Sequence, residues 1–191
     1  MKRAGNRTGG CAGSLKGRAG MIQERAKKIK LLILDVDGVL TDGRIIYDNF
    51  GDELKFFNVN DGLGVFLLRK AGIKTVIITA RKTRAVVKRA KDMRVAAVYS
   101  NHYKLKIYQK VLKKFGVKDE EVCFMGDDLL DLPLIKRAGL AACPPNAVEE
   151  VKNSSHYITQ KHGGKGAVRE VIEIILKSQN SWEKVSSRYL E

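Results

Sequence analysis

From Lys30 onward, short runs of consecutive apolar residues alternate with longer stretches in which apolar positions recur every three or four residues. The short runs predict strands at Lys30–Asp35, Lys74–Thr79, Ala97–Tyr99, Val122–Met125, Leu140–Ala142 and His156–Ile158. Several are apolar throughout, the pattern of strands buried on both faces. The longer stretches predict helices over Gly62–Lys70, Thr83–Lys91, Tyr103–Phe115, Asp128–Arg137, Ala147–Lys152 and Ala167–Lys177. Strand and helix in alternation specify the α/β class, a parallel sheet with helices on both faces. One segment breaks the rhythm. Arg44–Tyr47 and Leu54–Asn58 flank Asp48-Asn49-Phe50-Gly51-Asp52 and read as a β-hairpin inserted directly after the first strand, at about 44–58. Asn146 and Glu149, after Pro144-Pro145, read as a capping box. Ser178–Glu191 is polar with one Trp and reads as a frayed tail.

The length of 191 residues suits one domain, expected at 21–177, and leaves no room for a large second lobe. A hydrophobic fraction of 44% and a charged fraction of 30% exclude a wholly disordered chain. Apolar runs such as Leu31–Leu34 are far shorter than the ~18–20 residues a membrane helix needs, so no membrane partner is expected. A net charge of +15 suggests nucleic acid at first, but nine Lys/Arg and one acid fall within residues 1–30 and carry over half of that excess. Residues 1–20 hold six Gly, lack hydrophobic periodicity and read as a disordered basic extension. An over-long start ahead of Met21 and a basic arm are both open readings of it. No apolar stretch follows its basic residues as in a secretory signal, and a cytoplasmic location is expected. Cys11, Cys123 and Cys143 are isolated from one another, arguing for a reducing compartment and against a disulfide framework or structural zinc. His102, His156 and His162 share no metal-ligand spacing.

The chemistry begins at Leu31–Asp37, which places Asp35 and Asp37 at the carboxyl end of a strand expected to be central. Open α/β sheets bind ligands at that end, and ionised carboxylates there call for a cation or a catalytic use. The bland alternative is a turn at Asp37-Gly38 with Asp35 as its cap. Gly126-Asp127-Asp128-Leu129-Leu130-Asp131 also follows a strand and opens a helix. Carboxylates converging from two strand tips suit a hard octahedral cation such as Mg²⁺ better than zinc, whereas helix capping is the competing reading. Thr79 ends a strand and Lys104 opens a helix, where they could present a hydroxyl and an ammonium to an anion.

Asp35-Val36-Asp37-Gly38-Val39-Leu40-Thr41-Asp42-Gly43, Thr79, Lys104 and Gly126-Asp127-Asp128 resemble the four ordered motifs of the haloacid dehalogenase superfamily of phosphatases. Within it, the hairpin, Phe57-Asn58-Val59-Asn60-Asp61-Gly62, Ala80-Arg81-Lys82 and Gly163-Gly164-Lys165-Gly166-Ala167-Val168-Arg169-Glu170 resemble the 3-deoxy-D-manno-octulosonate 8-phosphate phosphatases. The resemblance runs from about Ile29 to Leu176. It implies a Rossmann-like fold of the cap-less type, with Asp35 as nucleophile and Asp37 as acid and then base. It also implies Mg²⁺ held by Asp35, the backbone carbonyl of Asp37 and Asp127. It further implies that Thr79 and Lys104 hold the phosphoryl oxygens and that Asp128 orients Lys104 or a metal-bound water.

The intervals from Asp35 to Thr79 and from Thr79 to Lys104 are filled by predicted elements and leave no space for a cap domain. The resemblance therefore implies a homotetramer built through the hairpin, with a neighbour's segment near Lys161–Gly166 closing the site. Asn58, Asn60, Asp61 and Gly62 are the substrate contacts it suggests. Arg81 and Arg89, eight apart on one expected helix, could grip a sugar-acid carboxylate, with solvated surface as the other reading. Three positions depart from the resembled pattern: Asn60 and Phe66 stand where Arg is expected, and Ala80 replaces Gly. The expected partner is a small phosphorylated sugar acid, most specifically the octulosonate 8-phosphate. The alternatives are a phosphatase of a nine-carbon sialic-type sugar phosphate, and a non-enzymatic basic nucleic-acid-binding module whose Asp residues only cap helices.

Overall fold

The computed structural model describes residues 12–189. Six parallel strands form the central sheet: β1 Leu31–Leu34, β4 Lys74–Thr79, β5 Ala97–Ser100, β6 Val122–Met125, β7 Leu140–Cys143 and β8 Tyr157–Ile158, in the order β5-β4-β1-β6-β7-β8. The expected strands all form, within about a residue at either end. Alternation along each strand divides its side chains between two cores. Leu32, Leu34, Ile77, Cys123 and Met125 face one side, where helices α2 (Val59–Lys70), α3 (Arg84–Asp92) and α7 (Ala167–Ser178) bring Leu67, Leu68, Val86 and Ile172. Leu31, Ile33, Val76, Ile78 and Phe124 face the other, against Tyr108 and Val111 of α4 (Lys104–Phe115), Leu134 of α5 (Leu132–Ile135) and Val151 of α6 (Glu149–Ser154). Burial on both faces explains the uninterrupted apolar runs.

The hairpin after β1 forms as expected but is short, with β2 (Ile46–Tyr47) paired antiparallel to β3 (Glu53–Leu54). Its turn is set by the Asp48 side chain, which accepts from the N–H groups of Phe50 and Asp52. No domain-sized insertion is present among the described residues. No helix there is long and apolar enough to cross a membrane.

Four expectations need correction. Within the stretch expected to be disordered, residues 12–20 belong to helix α1 (Ala12–Lys27), while residues 1–11 lie outside the described residues. The carboxyl end of α1 docks: Ala26, and Ile29 just after the helix, join the core, and Gln179 donates to the carbonyls of both. A docked end supplies the nucleus from which a helix extends, even through glycines. The polar end is not frayed as far as it is described. It forms α8 (Trp182–Ser186), with Val185 buried and the Trp182 ring against Arg169 and Lys177. The helix expected over Asp128–Arg137 breaks into a 3₁₀ turn at Leu129–Asp131 and the short α5, which carries Pro133 in its first turn. Finally, Asn146 forms no capping box. The N-cap of α6 is Val148, and the Asn146 side chain instead bridges the Gly38 carbonyl and the Gly163 N–H.

Candidate active site

Strand β1 lies between β4 and β6, with Leu34 in register with Ile77 and Met125. From β1 the chain builds outward through β4 to β5, then crosses back to build β6, β7 and β8 on the other side. The winding reverses between β1 and β6, the position where open α/β sheets bind ligands. Asp35 and Asp37 after β1, Thr79 at the end of β4 and Asp127 after β6 therefore emerge at one edge. Together with Lys104 and Arg81 they line a cleft of about 240 Å³. Two glycines permit the approach. A Cβ on Gly38, whose φ is +75°, would lie 1.9 Å from an Asp127 carboxylate oxygen, and one on Gly126 would lie 2.5 Å from the Asp131 carboxyl group.

Asp35, Asp127 and Asp131 bring carboxylate oxygens within 4.8 Å of one another. Lys104, buried to 1% side-chain exposure, sits 2.8 Å from Asp35 and 2.6 Å from Asp131. Burial works against its ammonium, but the two carboxylates outweigh that and raise its pKa. Three acids against one ammonium leave two negative charges uncompensated. Burial, then the charge of Asp131, push Asp35 up to about 7. Burial, then Asp35 and Asp131, push Asp127 up to about 8. Neither acid serves as a helix cap: Asp35 Oδ1 is buried without a partner, and no protein group donates to the Asp127 carboxylate among the described residues. Helix capping accounts for Asp128, which accepts from Leu129, and leaves the other two unexplained.

Residues 94–172 match a family model described as haloacid dehalogenase-like hydrolase. The 3-deoxy-D-manno-octulosonate 8-phosphate phosphatase of Yersinia pestis is 40% identical over 161 residues, 84% of this chain and 86% of that protein. The phosphatase of the same description from Escherichia coli strain K12 is 35% identical over 189 residues, 98% of this chain and 99% of that one. The chain belongs to the haloacid dehalogenase-like hydrolases. A solved structure from Moraxella catarrhalis, described as this phosphatase in complex with magnesium ion, phosphate ion and KDO, superposes with a TM-score of 0.86. It is 42% identical and covers 88% of this chain and 97% of its own.

In this haloacid dehalogenase-like hydrolase the donor set fits the Mg²⁺ cofactor of the family: carboxylate oxygens only, one of them, Asp35 Oδ1, buried without a partner, and an excess of negative charge matching a divalent ion. Asp131 is the site residue that sequence reading passed over as a ligand or positioning group. Its Oδ1 takes Lys104, and its Oδ2 takes the N–H groups of Asp127 and Asp128. Both of its oxygens are thus engaged, whereas those of Asp35 and Asp127 retain free capacity. The orienting of Lys104 expected from Asp128 is done by Asp131. The clue was Pro133, which has no N–H to carry a regular α-helix through the Asp131 turn. Asp131→Ala is expected to cost about 3 kcal/mol of stability, because it leaves a buried ammonium and two N–H groups short of partners. Urea denaturation measures it.

The expected substrate contacts divide. Arg81 lines the cleft, held by Glu53 at 2.7 Å. It precedes α3 rather than sharing that helix with Arg89, because Thr83 is the N-cap. Arg89 donates to the Asn58 carbonyl and packs on Gly62. Asn58 caps α2 by accepting from Asn60. Asp61 is buried and accepts from the Arg169 N–H, supplying the cap that the N-terminus of α7 lacks in its own Gly166. None of Asn58, Asn60, Asp61, Gly62 or Arg89 lines the cleft of its own chain. Within its own chain the Lys161–Gly166 segment packs beside the loop after β1. Gly164 donates to the Val39 carbonyl, and Gly163 packs on the Gly38 carbonyl.

Proposed function

We propose that the chain hydrolyses 3-deoxy-D-manno-octulosonate 8-phosphate to the free sugar acid and inorganic phosphate through an aspartyl-phosphate, with Mg²⁺ bound. The observation that carries this reading is the unpartnered, buried Oδ1 of Asp35 on the wall of a cleft shared with Lys104 and Thr79. Asp35, Asp127 and the main-chain carbonyl of Asp37 are the groups that would hold the ion. When bound, it supplies the positive charge that lets an anionic carboxylate approach a phosphate dianion.

A carboxylate oxygen of Asp35 attacks phosphorus as the bond to the sugar oxygen breaks, and Asp37 gives its proton to that leaving oxygen. Asp37 then takes a proton from water, the water oxygen bonds to phosphorus, and the bond to Asp35 breaks. Phosphate leaves and both aspartates return to their starting states. Lys104 and the Thr79 hydroxyl hold the phosphoryl oxygens through both steps. Arg81 stands at the cleft with a guanidinium available to a sugar-acid carboxylate. Phosphate release from the octulosonate 8-phosphate, with Mg²⁺ and with EDTA, is the test. A nine-carbon sialic-type 9-phosphate turned over with higher kcat/KM would move the assignment to that sugar, and release unaffected by EDTA would remove the ion from the mechanism.

The hairpin presents an inverted surface. Ile45, Tyr47, Phe50, Leu54 and Phe56 are exposed, Phe50 to 94%. Exposed apolar clusters of this kind mark association surfaces, and a cap-less site needs cover. A homotetramer formed through the hairpins supplies that cover. Phe56→Asp is expected to shift the mass measured by light scattering to that of smaller species, whereas an unchanged mass would show assembly elsewhere.

A further inference from the structure

Glu53 and Lys55 are two residues apart at and just beyond β3, so their side chains leave one face of the hairpin while Leu54 and Phe56 leave the other. The apolar pair is exposed and the charged pair is enclosed: the Lys55 side chain has 0% exposure and that of Glu53 has 8%. The Lys55 ammonium hydrogen-bonds Asp37 Oδ1. It also lies 2.5 Å from Glu53 Oε1, and Glu53 Oε2 takes Arg81 at 2.7 Å. The result is one chain of alternating charge, Asp37, Lys55, Glu53 and Arg81, running from the acid–base group to the far wall of the cleft.

Enclosing a lysine and a glutamate in a two-strand hairpin contributes little to stability, because desolvation of the two charges offsets most of their attraction. The geometry points to a different use. We infer that Lys55, steadied by Glu53, is a positioning residue that fixes the Asp37 carboxyl group for proton transfer to the leaving oxygen. This rests on the proposed phosphatase reading. With Oδ1 engaged by Lys55, Oδ2 is the oxygen that carries the proton and gives it up as the phosphorus–oxygen bond breaks. The same contact ties the hairpin to the reaction centre, so the element with the exposed apolar face also holds the acid in place.

A positioned acid matters most when the leaving group is poor, since an alkoxide must be protonated as it departs and a nitrophenolate need not be. Lys55→Met is therefore expected to lower kcat/KM for a sugar or other alkyl phosphate by about 30-fold or more, a large part of the roughly 10²–10⁴-fold that general acid–base catalysis supplies. For p-nitrophenyl phosphate the loss is expected to be at least about tenfold smaller. In an Asp37→Asn background, Lys55→Met is expected to cost almost nothing more, because it acts through Asp37. Equal losses on both substrates, or fully additive losses in the double variant, would overturn the inference. If Lys55→Met does not fold, Glu53→Gln is read in the same way: a fallen alkyl-to-aryl ratio supports the assignment and an unchanged ratio sinks it. Failure of the wild-type chain to hydrolyse either ester would instead remove the phosphatase reading itself.

Discussion

Asp35→Asn is expected to reduce phosphate release by on the order of 10⁴-fold or more, the scale of loss seen when a covalent nucleophile is removed. The carboxamide matches the carboxylate in shape but cannot form the acyl phosphate. The fold has little reason to change. Asp35 is 7% exposed, and its ion pair places Oδ2 2.8 Å from Lys104, a contact the Asn carbonyl oxygen can keep. The amide nitrogen then occupies the place of Oδ1, which has no partner to lose. Losing one of three converging negative charges also relieves Asp127 and Asp131. The thermal midpoint of the metal-free variant should stay within a few degrees of wild type. Incubation with substrate followed by intact-mass measurement should find a phosphoryl adduct on the wild type and none on the variant. Near-normal turnover by Asp35→Asn would end the aspartyl-phosphate mechanism.

Mg²⁺ should stabilise the chain strongly at pH 8 and weakly at pH 5. The sign follows from the two raised acids. An ordinary aspartate has released its proton by about pH 5, whereas in the folded chain burial and mutual repulsion hold Asp35 to about 7 and Asp127 to about 8. The folded state therefore binds more protons than the unfolded one between these limits. Without metal, what these two acids contribute to stability is fully present below the unfolded pKa and is lost as pH rises toward 8. A divalent ion competes with those protons, so its benefit grows over the same interval. At 100 times its dissociation constant the ion contributes about 2.7 kcal/mol. For a chain of this size that corresponds to a rise of roughly 5–10 °C in thermal midpoint. Thermal scans with Mg²⁺ and with EDTA at the two pH values measure it. Equal midpoint shifts at both would show that the ion does not occupy the Asp35–Asp127 pair, and Asp127→Asn should abolish most of the gain.

The sheet was legible because its central strands β1, β4, β6 and β7 are buried on both faces, which leaves continuous apolar runs. Asp35, Asp37, Thr79 and Asp127 were legible for a related reason. Each is a polar residue at the carboxyl end of such a run, and parallel pairing brings those ends to one edge. The sequence by itself thus determined the alternation of elements, the hairpin after the first strand and the acidic strand tips. Local signals misled where a side chain serves a distant partner. Asn146 had the spacing of a cap yet joins loops around Gly38 and Gly163. Only the tertiary structure decided that Asp131 holds Lys104, that Lys55 reaches Asp37, and that α1 and α8 are helical rather than frayed. The physical reason is common to all of them. These contacts join residues that local sequence spacing does not connect, and in low-dielectric surroundings the energy of a charged or docked group depends on which partner the packing delivers.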